Sequence, residues 1–123
     1  MQRLSALLAI LCVLPLSACD GRVASRTIVV GGNPQRGAAA IRNVGCGICH
    51  AIPGIEGANG KVGPPLDNIG QRMFIAGIMP NTPDNMVVWL MTPQSIVPGN
   101  AMPNLGLNAH EARDIAAYLY TLR

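Results

Sequence analysis

The chain has 123 residues, of which 50% are hydrophobic and 12% are charged. This composition allows one ordinary domain with a short extension and excludes a chain kept disordered by its charge. The net charge of +3 includes a single lysine, Lys61, and is too small and diffuse for a nucleic-acid binder. Aromatic residues make up only 3% of the chain, so we expect a cofactor or cross-links to fill a core short of large side chains.

The N-terminus has the pattern of an export signal. A short basic start is followed by an apolar run over residues 4–16, which is too short to span a bilayer. The run ends in Leu-Ser-Ala-Cys at residues 16–19, which resembles the bacterial lipobox. We therefore predict a lipoprotein signal peptide over residues 1–18, a lipidated Cys19 with a flexible tether to residue 32, and a folded domain over residues 33–123. An ordinary secretory signal with a coincidental cysteine is the alternative.

The remaining cysteines indicate the cofactor. Cys12 would be removed with the signal peptide and Cys19 would carry lipid, which leaves Cys46 and Cys49 in the sequence Cys-Gly-Ile-Cys-His. The two-residue gap brings both thiols to one side of a turn, with His50 beside them. This arrangement suits one haem c, with the sulfurs bonded to its vinyl groups and the imidazole bound to iron.

Three other uses of these cysteines fit the sequence less well. A zinc site needs two further ligands, and the only other histidine, His110, is far along the chain. A thioredoxin-like redox pair would require strands around it, and none is predicted. A local disulfide would not explain the adjacent histidine.

Helix signals occur three times and no strand alternation is seen. Asn33-Pro34 and Gly45 delimit a helix over residues 34–44. A second helix is predicted from Thr82 to about residue 91, with Pro93 ending it. The third covers residues 108–122, with a capping-box start; its apolar face comprises Ala112, Ile115, Ala116 and Leu119.

These pieces occur in the order of a known family. The sequence contains, in this order, Gly37 in the first helix, the CxxCH motif, Gly-Pro-Pro-Leu at residues 63–66, the middle helix, Pro-Gly-Asn-Ala-Met-Pro at residues 98–103 and the last helix. Together they resemble a class I (mitochondrial-like) c-type cytochrome over residues 33–123, here as a bacterial lipoprotein. The resemblance implies an all-α fold with three main helices and long loops around one covalent haem. Residues 72–123 also resemble c-type domains that accompany terminal oxidases.

The resemblance implies roles for further residues. The Pro64 carbonyl would accept a hydrogen bond from His50, Arg72 would reach a haem propionate, and Trp89 would cover the ring. For Arg72, the alternative is an exposed surface arginine. Gly37 would let the first helix cross the last one closely, against Tyr118.

The sixth iron ligand is expected to be a methionine. Prolines stiffen the loop that carries Met102, which we predict to be the ligand. Met79, which precedes a proline, is the second candidate. Met86 and Met91 are expected in the pocket wall, Met73 as packing, and His110 on the surface.

His/Met ligation leaves iron with no open position and predicts a one-electron carrier rather than an enzyme. We expect lipid anchoring on the periplasmic face of a membrane, with the inner membrane favoured by Asp20. Expected partners are membrane-bound redox proteins, a terminal oxidase or an exported dehydrogenase, with no nucleic acid and no small-molecule substrate. A haem-based gas or redox sensor with a displaceable methionine is the alternative, and a small peroxidase is disfavoured because no distal base is evident.

Overall fold

A computed structural model describes residues 27–123, and its framework is mostly helical. Three main helices were expected, and all three are present. The α-helices are α1 (Pro34–Val44), α2 (Pro83–Met91), α3 (Pro93–Ile96) and α4 (Ala109–Leu119), with 3₁₀ turns at Cys46–Ile48 and Ile69–Gln71 and an antiparallel hairpin of β1 (Phe74–Ile75) and β2 (Met79–Pro80).

Helix α1 begins and ends at the predicted residues. The side chain of Asn33 accepts a hydrogen bond from the Arg36 N–H at 2.9 Å, and Pro34 occupies the first turn. Gly45 adopts the left-handed conformation that ends the helix. The chain therefore passes directly from α1 into the turn that carries Cys46 and Cys49.

Helices α1 and α4 cross at Gly37. This glycine is buried, and a Cβ atom added there would lie 2.6 Å from the Asp114 carbonyl carbon and 3.0 Å from Tyr118 Cβ. No larger residue fits without separating the helices, so the close crossing predicted for Gly37 and Tyr118 is present.

Helix α4 supplies the centre of the core. Its capping box is formed by Asn108 and Glu111. The four residues predicted to form its apolar face are all buried. They pack with Ile41 from α1 and with Met86 and Leu90 from α2, and the three helices thus share one core.

The middle helix ends at Met91, as predicted, and Pro93 then starts α3, where its fixed φ suits a first helical position. The hairpin at residues 74–80 was missed, because strands of two residues are too short to show alternation.

The folded domain begins before residue 33, the boundary predicted from the sequence. Val29 is 7% exposed and belongs to the core, and the Gly32 N–H donates to its carbonyl at 3.0 Å. A Cβ atom on Gly32 would lie 2.5 Å from the Arg113 carbonyl oxygen of α4. Residues 29–32 are therefore packed on the domain and are not part of a tether.

The predicted signal peptide, Cys12, Cys19 and Asp20 lie outside the described residues. Within residues 27–123, none of the helices has the length and apolar character needed to cross a membrane.

Candidate haem-binding site

A cavity of about 740 Å³ opens between α1, α2, α4 and the long loops. Its volume lies in the range of cofactor sites, and its wall is largely apolar. All seven residues predicted to hold the cofactor line it, namely Cys46, Cys49, His50, Pro64, Arg72, Trp89 and Met102. The structure therefore brings together residues separated by up to 56 positions in the chain.

The CxxCH segment forms one side of the cavity. Cys46–Ile48 makes a 3₁₀ turn, and the N–H groups of Cys49 and His50 both donate to the Cys46 carbonyl, at 3.2 and 3.0 Å. Both thiols are unpaired and line the cavity. Burial raises the pKa of the Cys46 thiol above its ordinary value.

The orientation of His50 follows from one hydrogen bond. Its Nδ1 atom lies 2.7 Å from the Pro64 carbonyl oxygen, and a carbonyl can only accept, so Nδ1 carries the proton. The Nε2 lone pair is then left for a metal. This is the tautomer that an iron-binding histidine requires.

Gly63 is a site residue that sequence reasoning did not single out, although it belongs to the Gly-Pro-Pro-Leu motif. A Cβ atom at this position would lie 2.7 Å from His50 Nδ1 and closer still to Cε1. The glycine preceding Pro64 therefore gives the imidazole the space it needs beside the backbone.

Two methionines of the described region line the cavity, Met86 and Met102. Met86 is 2% exposed and packed in the core on α2, whereas Met102 is on a non-helical loop. Met73 is 80% exposed. Met79 is paired with Ile75 in the hairpin and does not line the cavity, nor does Met91.

The loop that carries Met102 is held by two amide side chains, and neither was predicted from the sequence. Gln94 donates to the carbonyls of Asn100 and Met102, at 2.8 and 2.7 Å, and accepts from the Gly99 N–H at 3.0 Å. Asn100 in turn accepts from the Met102 N–H at 2.7 Å. The signal that could have identified them is a glutamine directly after Pro93 and an asparagine inside the Pro98–Pro103 segment.

Arg72 and Trp89 complete the predicted set. Arg72 Nη2 donates to the carbonyls of Pro65 and Asp67, which ties the segment after Pro64 to the cavity rim. Trp89 is partly buried on α2 and lines the cavity wall.

The structure weakens the alternative uses of the cysteines. Within residues 27–123, no three His, Cys, Asp or Glu side chains come together as a metal site, so a zinc site built by this region is unsupported. The two-residue strands of this region also form no βαβ unit.

Comparison with known proteins identifies the family. The cytochrome c family model matches residues 34–123. The chain is 34% identical to cytochrome c2 of Agrobacterium tumefaciens (strain II Chrys), over 72% of this chain and 90% of that protein. It is also 36% identical to cytochrome c oxidase subunit 2 of Alkalihalophilus pseudofirmus and 33% identical to that of Bacillus sp. (strain PS3), over 61% and 68% of this chain. It spans only about a fifth to a quarter of the length of those oxidase subunits.

Such a domain implies covalent haem c, and the residues present fit it. Two thiols, an imidazole with its Nε2 lone pair left for iron and an apolar wall meet in one cavity. Cytochrome c domains are electron carriers rather than enzymes, and they are typically extracytoplasmic. The chain belongs to the cytochrome c family.

Proposed function

We propose that this protein is a one-electron carrier with His50 and Met102 as its two iron ligands. The observation that carries the proposal is that both residues line the same cavity as Cys46 and Cys49, with His50 Nε2 left as an acceptor. Bound haem supplies one-electron chemistry. The role of the chain is to hold the iron ligands, keep water away and favour the ferrous state through a thioether.

The proposed location is the periplasmic face of a bacterial membrane, with Cys19 as the lipid anchor. The lipobox-like segment at residues 16–19 supports this proposal. A lipidated N-terminus would carry two or more acyl chains, which stable anchoring requires.

The proposed partner is a terminal oxidase. Two of the relatives are subunits of cytochrome c oxidases, which supports this class of partner over an exported dehydrogenase. An apolar rim surrounds the cavity, formed by Ile48, Val62 and Phe74, which are 78%, 70% and 50% exposed. Because the net charge is only +3, docking would depend mainly on this apolar rim and little on long-range charge.

Carbon monoxide distinguishes the carrier from the sensor. Ferrous protein with two firmly bound ligands should bind CO only slowly, whereas a sensor with a displaceable methionine should bind it rapidly. The same preparation, once reduced, should be oxidised by membranes that contain a cytochrome oxidase. Rapid CO binding by the wild-type protein, or no oxidation by such membranes, would contradict the proposed function.

A further inference from the structure

We propose that Gln94 is a positioning residue that keeps the Met102 thioether on the iron. The inference rests on the proposed function, in which Met102 is the ligand. Gln94 does not have to touch the cofactor to do this, since it acts through the backbone of the loop that carries Met102.

The Gln94 side chain joins α3 to the loop through both N–H donors and the carbonyl oxygen of its amide. The Nε2 group donates to two carbonyls, of Asn100 and Met102, and Oε1 accepts from the Gly99 N–H. The Gln94 backbone N–H also lies 3.3 Å from Asn104 Oδ1. Gln94 therefore contacts the loop before Met102 and at Met102 through its side chain, and after Met102 through its backbone N–H.

Asn100 closes the same unit from within the loop. Its Nδ2 donates to the carbonyls of Pro93 and Val97, at 3.1 and 2.6 Å, while Oδ1 accepts from the Met102 N–H. Asn100 thus ties the loop to Pro93, the first residue of α3, and also holds the backbone of Met102. Because these bonds are partly buried, breaking them would leave backbone groups poorly solvated.

The pattern of one acceptor and two donors is specific to an amide. A glutamate has the same length but carries no donor when ionised, and would set a negative oxygen against two carbonyl oxygens. An alanine removes the contacts altogether. Both changes should let the loop leave the iron more often, although neither alters the ligands themselves.

The experiment measures the rate of CO binding to ferrous holoprotein at pH 7. It compares the wild type, Gln94→Ala, Gln94→Glu and Met102→Ala, with Gln71→Ala as a control for loss of an exposed glutamine. Met102→Ala should bind CO fastest. Both Gln94 variants should bind about tenfold or more faster than the wild type, since several hydrogen bonds are lost, and the control should match the wild type.

A second measurement reports on the ligand directly. The ferric charge-transfer absorption of a thioether-ligated haem should weaken in both Gln94 variants at temperatures where circular dichroism shows them folded. If Gln94→Ala fails to fold, two tests remain: the Gln94→Glu variant, and hydrogen exchange of the Gly99 and Met102 amides in the wild type. These two amides should exchange as slowly as the amides of α2.

The outcomes separate the two claims. If Met102→Ala binds CO no faster than the wild type, the ligand assignment is wrong and the role of Gln94 falls with it. If Met102→Ala responds while both Gln94 variants match the wild type, Met102 remains the ligand and the positioning role is overturned. Fast exchange of the two loop amides in the wild type would overturn it as well.

Discussion

The imidazole of His50 lies against Gly63, which has no side chain. Gly63 lies so close to the imidazole that an added Cβ atom would meet three ring atoms within 3 Å. The ring therefore cannot keep both its position and its hydrogen bond to Pro64 if residue 63 gains a side chain. The site therefore requires the imidazole of His50 to lie close to the backbone at residue 63.

Gly63→Ala should therefore disturb His50, the proposed proximal ligand. We expect a loss of about 1–3 kcal/mol in the free energy of unfolding, because a well-packed site is overfilled, together with a changed reduction potential. Denaturant unfolding and a redox titration measure the two effects. Gly57→Ala is the control for the potential only, since an added Cβ there meets nothing within 4 Å while its φ of 75° makes any side chain strained; an unchanged potential in Gly63→Ala would contradict the role given to this glycine.

At the scale of elements, the crossing of α1 and α4 sets the shape of the core. Gly37→Ala would push its Cβ atom into the backbone of Asp114. We expect a destabilisation of about 2 kcal/mol or more, because neither helix can move without opening the core. Thermal unfolding of the holoprotein tests this, and a melting temperature equal to that of the wild type would show that the helices separate at no cost.

The same crossing carries a buried carboxylate. Asp114 is 3% exposed and accepts from Arg36 Nε at 2.7 Å, from Arg36 Nη2 at 2.9 Å and from the Asn33 N–H at 2.7 Å. The hydrogen bond from Arg36 is the main cause that lowers the pKa of Asp114; His110 Nδ1, 3.5 Å from Asp114 Oδ2, adds to it. The carboxylate therefore joins the start of α1 to α4.

The lowered pKa predicts how stability depends on pH. The contribution of Asp114 is fully present above the unfolded pKa of about 3.9 and is lost as pH falls through the lower folded value. Asp114→Asn should therefore destabilise the protein most near neutral pH, and the difference from the wild type should shrink in acid. Unfolding curves from pH 7 to pH 2 measure this, with Glu56→Gln, on an exposed loop, as the control. A difference independent of pH would contradict the account.

Local signals predicted the helices well because their ends are encoded by neighbouring residues. The Asn33-Pro34 start and Gly45 end of α1 and the capping box of α4 are confirmed by the structure. What could not be read from the sequence depends on contacts between distant parts. Asp114 contacts Arg36, which lies 78 positions away in the chain. Gln94 contacts the Met102 loop only because the chain turns at α3.

At the scale of the whole molecule, the packed domain limits how far an anchor lets it move. Since Val29 is buried, only residues 20–28 separate the proposed lipid at Cys19 from the domain. Nine residues extend to at most roughly 30 Å. We infer that the domain would stay close to the bilayer, where a membrane-bound oxidase meets it at a raised effective concentration.

The anchoring proposal predicts a change in location and in turnover. An exported Cys19→Ser protein should move to the soluble fraction, keep its spectrum and potential, and support slower oxidase turnover at equal copy number. Turnover should depend only mildly on salt, because the rim around the cavity is apolar. Retention on membranes, equal turnover without the lipid, or a steep loss between low and physiological salt would each contradict this picture.

The central claim is that His50 and Met102 are the two ligands of one iron. Its most direct test is a redox titration of the wild type, Met102→Ala and Met79→Ala, the last being the methionine in β2 that does not line the cavity. Loss of the thioether should lower the reduction potential in Met102→Ala, while Met79→Ala should titrate as the wild type does. A lowered potential in Met79→Ala together with an unchanged potential in Met102→Ala would contradict the account.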